Sequence, residues 1–439
     1  VIYKEKLNHL QERDDWEQIK PFYRAGMWRN FLVKYPESNE MYSRSMEISR
    51  RLDDLSNSVE CRNQPELLQK AKMHLYRGQC NCPYWHGAFG GLYLPHLRNA
   101  IYEHLIAADS IIENLEGREG RWVDASVDDY NLDARKEIRL AGDRLIGYLS
   151  PARGGHLYEL DIRSVKTNLL STLNRRPEPY HQAILDSAGQ NDDVDDIEFN
   201  KHEGARFKQA NLDQQIAYDR WPRKSLVDHF MRPGTTLDDF KNGNGEVGDF
   251  LLGVYESRIR KSPTRIETVM TREGRIGDFW SQVIKTVVLD TENSSQLEIH
   301  YELNDLPVGE EIQFGVEFNF SSMAAGQSDR YYYGSNGQQL GPLETIQQLP
   351  EESRIGLVDE WLGIDASLDF TTPAEIWTLP IQTVSQSEGG YELVHQSCAV
   401  VPVWKFVVDQ TQSWKATIHL NIDTSAAHAR QLSTLRMES

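Results

Sequence analysis

Trp414-Lys415-Ala416-Thr417-Ile418-His419-Leu420-Asn421-Ile422 alternates apolar and polar residues without a break. A period of two sends successive side chains to opposite faces, so this stretch predicts a strand with one buried and one wet face. Working back along the chain, further short β-type runs cover 398–408, 376–384, 312–320, 297–303, 284–289, 251–255, 157–162 and 138–149. Turn residues separate them and no long helical pattern intervenes. That sequence of elements predicts a large antiparallel β-sandwich over residues 119–439. Two stretches read as long surface loops within it. Residues 182–213 are acidic and polar, with Asp192-Asp193-Val194-Asp195-Asp196 as a solvated run, and residues 321–345 are rich in Gly, Ser and Gln.

Near residue 120 the period changes. Leu94, Leu97, Ile101, Leu105 and Ala108, extended by Ile111, Ile112 and Leu115, recur at steps of three and four. They predict an amphipathic helix with Pro95 in its first turn, where the missing N–H costs nothing. A second helix is expected over 39–55, capped by Asn39, with Met41, Ile48, Leu52 and Leu55 inward. A third runs over about 65–76 with Leu67, Leu68, Ala71 and Leu75, and the first twenty or so residues are helical up to Pro21. Residues 1–118 thus read as a small helical domain.

At 439 residues the chain exceeds one ordinary core, which implies two or three domains. Lys and Arg number 47 against 66 Asp and Glu, a net charge of −19 that repels polyanions. With no sizeable basic patch, nucleic acid and anionic membranes are excluded as partners. No run approaches the roughly 18 apolar residues of a spanning helix. The start, Val1-Ile2-Tyr3-Lys4-Glu5-Lys6, has neither an initiator Met nor a signal peptide and reads as a cut end. Four cysteines, Cys61, Cys80, Cys82 and Cys398, are too few for a disulfide framework, so a reducing, cytoplasmic setting is expected. Cys80-Asn81-Cys82 with His86 lacks zinc-knuckle spacing and a second ligand pair.

The most informative short segment is Gln79-Cys80-Asn81-Cys82-Pro83-Tyr84-Trp85-His86-Gly87-Ala88-Phe89-Gly90-Gly91. Glycines let the backbone approach a ligand closely. Tyr and Trp offer flat apolar faces with polar edges, which suit a sugar ring, and His86 could donate to a hydroxyl. The plain alternative is an aromatic corner that packs the helical domain together, and composition alone leaves both readings open.

The segment resembles the last of the five sequence regions of glycoside hydrolase family 57, the α-glucan-active family of 4-α-glucanotransferases and α-amylases. Tyr93-Leu94-Pro95-His96-Leu97-Arg98 follows it as in that family. The stretch from Gly26-Met27-Trp28-Arg29-Asn30-Phe31 to Asn39 resembles the part just after the family's catalytic barrel. Gly154-Gly155-His156-Leu157-Tyr158-Glu159-Leu160-Asp161, Asn174-Arg175-Arg176-Pro177-Glu178-Pro179-Tyr180-His181, Asp228-His229-Phe230 and Ser385-Gln386-Ser387-Glu388-Gly389-Gly390 look like its C-terminal β-domain, a galactose-mutarotase-like supersandwich. The resemblance implies a retaining mechanism with a Glu nucleophile and an Asp acid/base about 5–5.5 Å apart on an upstream β/α barrel. This chain has no counterpart of either, so alone it is expected to be inactive. The partners implied are that barrel and an α-1,4-glucan, with Trp85 stacking on a glucose ring and Tyr84 and His86 fixing its edge. Where the family has an acidic hydroxyl acceptor three positions before the Trp, this chain has Cys82, a poor acceptor.

No cofactor is required by this reading, and the one ion suggested is a structural Ca2+. Asp129, Asn131, Asp133 and Glu137 place oxygen ligands at positions 1, 3, 5 and 9 of a calcium-type loop, although position 6 is Ala134 and position 12 is Leu140. Glu159 and Asp161 are expected on one face of a strand, as a salt bridge or as the wall of a sugar groove. Trp361 and Trp377 are read as core. Two alternatives in function remain: a non-catalytic carbohydrate-binding or assembly module, and a sugar epimerase with His156 and Glu159 facing each other across a groove.

Overall fold

The computed structural model describes residues 2–20, 28–57, 64–87, 89–188 and 207–438. The helical part holds α1 (Ile2–Gln11), α2 (Trp16–Ile19), α3 (Trp28–Lys34), α4 (Pro36–Ser56), α5 (Pro65–Gly78) and α6 (Pro95–Leu115). Pro36, Pro65 and Pro95 each occupy the first turn of a helix, where proline's fixed φ fits and no donor is lost. The expected cap at Asn39 is displaced by this. α4 starts three residues earlier, and the Asn39 amide instead donates to the Asn131 carbonyl of the β part. The stripe Ile101, Leu105, Ala108 and Ile112 is buried against Met41, Ile48 and Leu52 of α4 and Ala71 and Leu75 of α5. The opening segment is two short helices rather than one. Cys61, Gly26, Met27 and Asp192 to Asp196 lie outside the described residues.

Helix α6 ends at Leu115 and the first strand begins at Val123. A five-stranded antiparallel sheet follows in chain order: β1 (Val123–Asp128), β2 (Glu137–Gly142), β3 (Leu145–Ser150), β4 (His156–Ile162) and β5 (Thr167–Asn168). The run 138–149 is therefore two strands turning at Asp143-Arg144. After α7 (Pro179–Ala188) come β6 (Val227–Met231), α8 (Leu237–Lys241), β7 (Glu256–Lys261), β8 (Arg265–Ile276), β9 (Phe279–Asp290), β10 (Gln296–Asn304), β11 (Glu311–Phe320), β12 (Arg330–Gly334), β13 (Gln339–Pro342), β14 (Gln347–Asp359), β15 (Ile364–Ser387), β16 (Gly390–Val407), β17 (Trp414–Asp423) and α9 (Ser425–Glu438). These strands form one twelve-stranded system in which the 24-residue β15 pairs with β14, β16 and β17. Its first half joins the layer β14-β15-β17-β10-β9-β8-β7, and its second half joins β16, β11 and β6.

Every pairing between named strands is antiparallel, so the described residues hold no parallel β/α barrel. The sandwich core contains Leu297, Ile299, Phe314, Phe318, Ile355, Leu368, Ile418 and Leu420, the inward set of the alternating strands. Three expectations change, the first at residues 182–188, which belong to helix α7 rather than to a loop. Residues 321–345 contain β12 and β13, because tyrosine-rich Arg330–Gly334 finds partners in Gln339–Pro342 and in β14. Residues 251–255 are not a strand: their backbone bonds go to the 151–154 turn, through Gly154 N–H to the Gly253 carbonyl and Tyr255 N–H to the Pro151 carbonyl. No helix of the described residues is long and apolar enough to cross a membrane.

The two parts meet across a buried ionic layer. Arg44 of α4 donates to Glu47 (2.8 Å), Asp109 of α6 (2.7 Å), and Glu159 and Asp161 of β4 (3.1 and 3.4 Å). Arg139 of β2 reaches Asp109 and Glu113 from the other side. Glu159 and Asp161 therefore form the salt-bridge layer under α4, and Glu159 also lines a small pocket with Glu40, Glu47, Tyr130 and Tyr158. The epimerase pairing fails, since the Nε2–H of His156 donates to the Leu251 carbonyl at 2.7 Å while Glu159 is bound by Arg44.

Candidate functional site

The Tyr-Trp-His-Gly segment leaves α5 through a 3-10 turn, Cys82–Tyr84, and re-enters α6 through another, Gly91–Tyr93. Between them the chain closes on itself: the Leu92 N–H donates to the Trp85 carbonyl at 3.0 Å. Gly91 makes that closure possible. Its φ is +52°, and a Cβ there would lie 2.1 Å from the Trp85 carbonyl oxygen. Only a residue without a side chain lets the two ends of the loop approach this closely.

The closure sorts the predicted site residues. Trp85 is 52% exposed and Phe89 72%, so both rings face solvent. Tyr84 points the other way; it is buried, and its hydroxyl donates to the Gly78 carbonyl at 2.6 Å. It supports the loop and does not reach the surface where a sugar edge would lie. Cys82 is exposed and its thiol is free, as are those of Cys80 and the buried Cys398.

His86 is half-buried, packed on the Tyr93 ring at 4.4 Å and near Tyr180 at 5.7 Å. Its Nδ1 lies 3.1 Å from the Gly90 carbonyl. Burial pulls the imidazole below its usual range, so it is neutral near pH 7. A carbonyl only accepts, so Nδ1 carries the proton and Nε2 is left as a bare acceptor. The expected donor is thus an acceptor at the nitrogen that remains available.

Sequence reasoning missed what holds this loop from the sandwich side. Glu178 is buried and accepts from the Tyr35 and Tyr93 hydroxyls and from Lys34 Nζ, each at 2.7 Å. Burial alone would raise its carboxyl; the three donors outweigh that and hold it below the usual carboxylate range. Arg98 of α6, also buried, donates to the Leu92 carbonyl (2.6 Å), the Ser171 carbonyl (3.1 Å) and the Gln396 side chain (2.7 Å). Gln396 in turn donates to the Tyr93 carbonyl at 2.9 Å. Glu178 stood within the Asn174 to His181 motif, but no spacing in the sequence says what it touches. Rings continue on both sides of His86: Trp28, Phe31 and Tyr35 at successive centroid spacings of 5.5 and 4.5 Å, and Tyr180 onto Tyr391 at 5.8 Å.

The calcium-type loop is drawn in on itself. Both Asp129 oxygens accept backbone N–H groups, from Asp133 and Ala134, while Asp133 takes the Arg135 N–H and the Arg153 guanidinium. Ala134 adopts φ +67°, the position where such loops ordinarily have Gly. One Glu137 oxygen accepts from Tyr130 and Asn131, and the other is buried without a partner. As they stand, no three His, Cys, Asp or Glu side chains among the described residues converge as a metal-holding group. Of the tryptophans read as core, Trp377 is fully buried, whereas Trp361 sits on the turn after β14 at 72% exposure.

Both parts of the chain match known domains. Residues 26–112 match the model of the α-amylase/4-α-glucanotransferase middle domain, and residues 129–418 match that of its C-terminal domain. The chain belongs to the α-amylase/4-α-glucanotransferase family. Alpha-amylase 1 of Dictyoglomus thermophilum is 30% identical over 94% of this chain and 57% of its own length. A 4-alpha-glucanotransferase of Thermococcus kodakarensis is 30% identical over 90% of this chain and 53% of its own. The crystal structure of 4-alpha-glucanotransferase from Thermococcus litoralis superposes with a TM-score of 0.72 at 25% identity, covering 96% of this chain and 55% of that one. The chain thus spans about half the length of the family members it matches, and it resembles their C-terminal part.

Proposed function

We propose that this chain builds the sugar-binding side of an α-glucan-processing α-amylase or 4-α-glucanotransferase, working with a catalytic barrel that supplies the bond-breaking carboxylates. Trp85 stacks on a glucose ring, and the bare Nε2 of His86 accepts a hydrogen bond from a sugar hydroxyl. The observation that carries this is the pairing of a half-exposed Trp85 with an adjacent His86 whose tautomer is fixed by Gly90. A flat apolar face beside one oriented acceptor suits a pyranose, whose C–H face stacks while its equatorial hydroxyls point outward. The family's retaining chemistry needs two carboxyl groups flanking the scissile bond. The carboxylate that acts on His86, Glu178, cannot serve, because it is committed to three donors.

Calorimetric titration of maltoheptaose into the chain and its Trp85→Ala variant tests the reading. Loss of a used stacking platform costs on the order of 1–3 kcal/mol of binding. Equal binding by both proteins would move the sugar to the sandwich, where Trp361 and Trp280 are exposed, and would favour a carbohydrate-binding module.

A further inference from the structure

Glu178 is a costly residue to bury, and the chemistry proposed for the loop makes no direct use of it. It lies between β5 and α7, on the sandwich side, yet its three donors come from the helical side: Lys34 at the end of α3, Tyr35 just after it, and Tyr93 at the entry to α6. Those two tyrosines are the rings against which His86 rests, at centroid distances of 6.3 and 4.4 Å. Two residues on, Tyr180 closes the third side of the imidazole at 5.7 Å. The His181 ring turns back so that its Nδ1 accepts the Glu178 N–H at 3.3 Å, fixing the backbone that carries the carboxylate. His86 itself has only the Gly90 carbonyl as a hydrogen-bond partner in these contacts, and Gly90 is in the left-handed region at φ +86°. Its orientation is set by packing on rings that are themselves tied to one carboxylate.

We propose that Glu178 is a positioning residue for the glucan site: through Tyr35 and Tyr93 it holds His86 in the orientation that directs Nε2 toward the sugar, so that the sandwich sets the geometry of a loop belonging to the helical domain. The inference rests on the glucan reading for its ligand, and on the contacts above for its mechanism. A carboxylate suits this task better than a neutral acceptor, because one of its oxygens takes both hydroxyls while the other takes the ammonium of Lys34. The charge of Glu178 also acts on His86, opposing the pull of burial on the imidazole.

The test combines maltoheptaose titration with the 15N shifts of the His86 ring, which report tautomer and titration directly. In Glu178→Ala, maltoheptaose affinity falls about tenfold, the equivalent of one misplaced hydrogen bond, and the His86 signals change from a single Nδ1–H form to a mixture of tautomers. The Tyr35→Phe/Tyr93→Phe pair, which keeps both rings and opens no void, shows the same spectral change if the alanine variant does not fold. Glu178→Gln keeps an acceptor for the hydroxyls and restores the Nδ1–H form. Unchanged His86 signals in Glu178→Ala and in the phenylalanine pair would overturn the proposal, as would lost affinity with unchanged signals. If the wild-type chain binds no maltoheptaose, the glucan reading fails, and the His86 spectra still decide whether Glu178 positions the ring.

Discussion

Replacing Arg44 by Met is the sharpest test of how the two parts of the chain are joined. Arg44 is 3% exposed and is the cation shared by Glu47, Asp109, Glu159 and Asp161, all buried. Methionine fills a similar volume but leaves the β4 carboxylates without a counter-ion. Removing one partner from a buried ionic cluster costs about 3–5 kcal/mol. The loss depends on pH in a defined sense. Burial pushes Glu159 up, and it pushes Asp161 up to about 6 despite Arg44. An acid whose folded value lies above its ordinary one takes up protons on folding. Its site is therefore most stable below 3.8 and loses stability as pH climbs through about 6. That gap corresponds to roughly 3 kcal/mol, and without Arg44 it widens. Guanidinium unfolding followed by tryptophan fluorescence should show the full loss at pH 8 and about half of it at pH 5, below the point at which Asp161 ionises. A loss below about 1 kcal/mol, or the same loss at both pH values, would refute the reasoning.

Other outcomes follow from single groups. Burial pulls His229 down, but its bonds to Glu246 (2.9 Å) and Glu317 (3.1 Å) prevail and push it up to about 9. The stability it contributes is full below 6.5 and is lost as pH rises through 9, so the unfolding midpoint should fall across that window in wild type and stay flatter in His229→Gln. Gly91→Ala places a Cβ against the Trp85 carbonyl, and should cost about 1–3 kcal/mol of stability or open the loop, with maltoheptaose binding lost in calorimetry. Burial and the nearby Asp133 push Glu137 up to about 7. Glu137→Gln should therefore raise the thermal midpoint at pH 8 and change little at pH 5. Repeating that melt with calcium chloride tests the cation expectation: binding would lift the wild-type midpoint above pH 7 and leave Asp129→Asn unmoved.

The period-two and period-four patterns gave away most of the fold, because burial on one face is a local property of a strand or helix. The alternation from Trp414 to Ile422 became β17, and the Leu94 to Leu115 stripe became α6 with Leu94 as its cap residue. Residues 251–255 misled for the same reason: Leu252 and Val254 look apolar but are half exposed, and their backbone is satisfied by a turn remote in sequence. Within the candidate loop, the Tyr-Trp-His-Gly motif singled out Trp85, whose ring the structure leaves half exposed. The inward turn of Tyr84 was not legible, because it depends on the Leu92–Trp85 closure. Glu178, Arg98 and Gln396 were invisible as a group, since their partners lie tens to hundreds of residues away.

The bond from Arg98 to Gln396 spans 298 positions, and that from Gln396 to the Tyr93 carbonyl spans 303. During synthesis the helical part emerges before β16, so the turn that Arg98 supports lacks its second tie, from Gln396, until late. The loop carrying Trp85 and His86 stays unfinished until β16 has left the ribosome and paired with β15 and β11. A nascent or prematurely terminated chain lacking that strand would carry the Tyr-Trp-His-Gly segment without the Gln396 tie that fixes the Tyr93 end of its loop, so the candidate site is completed only late in translation.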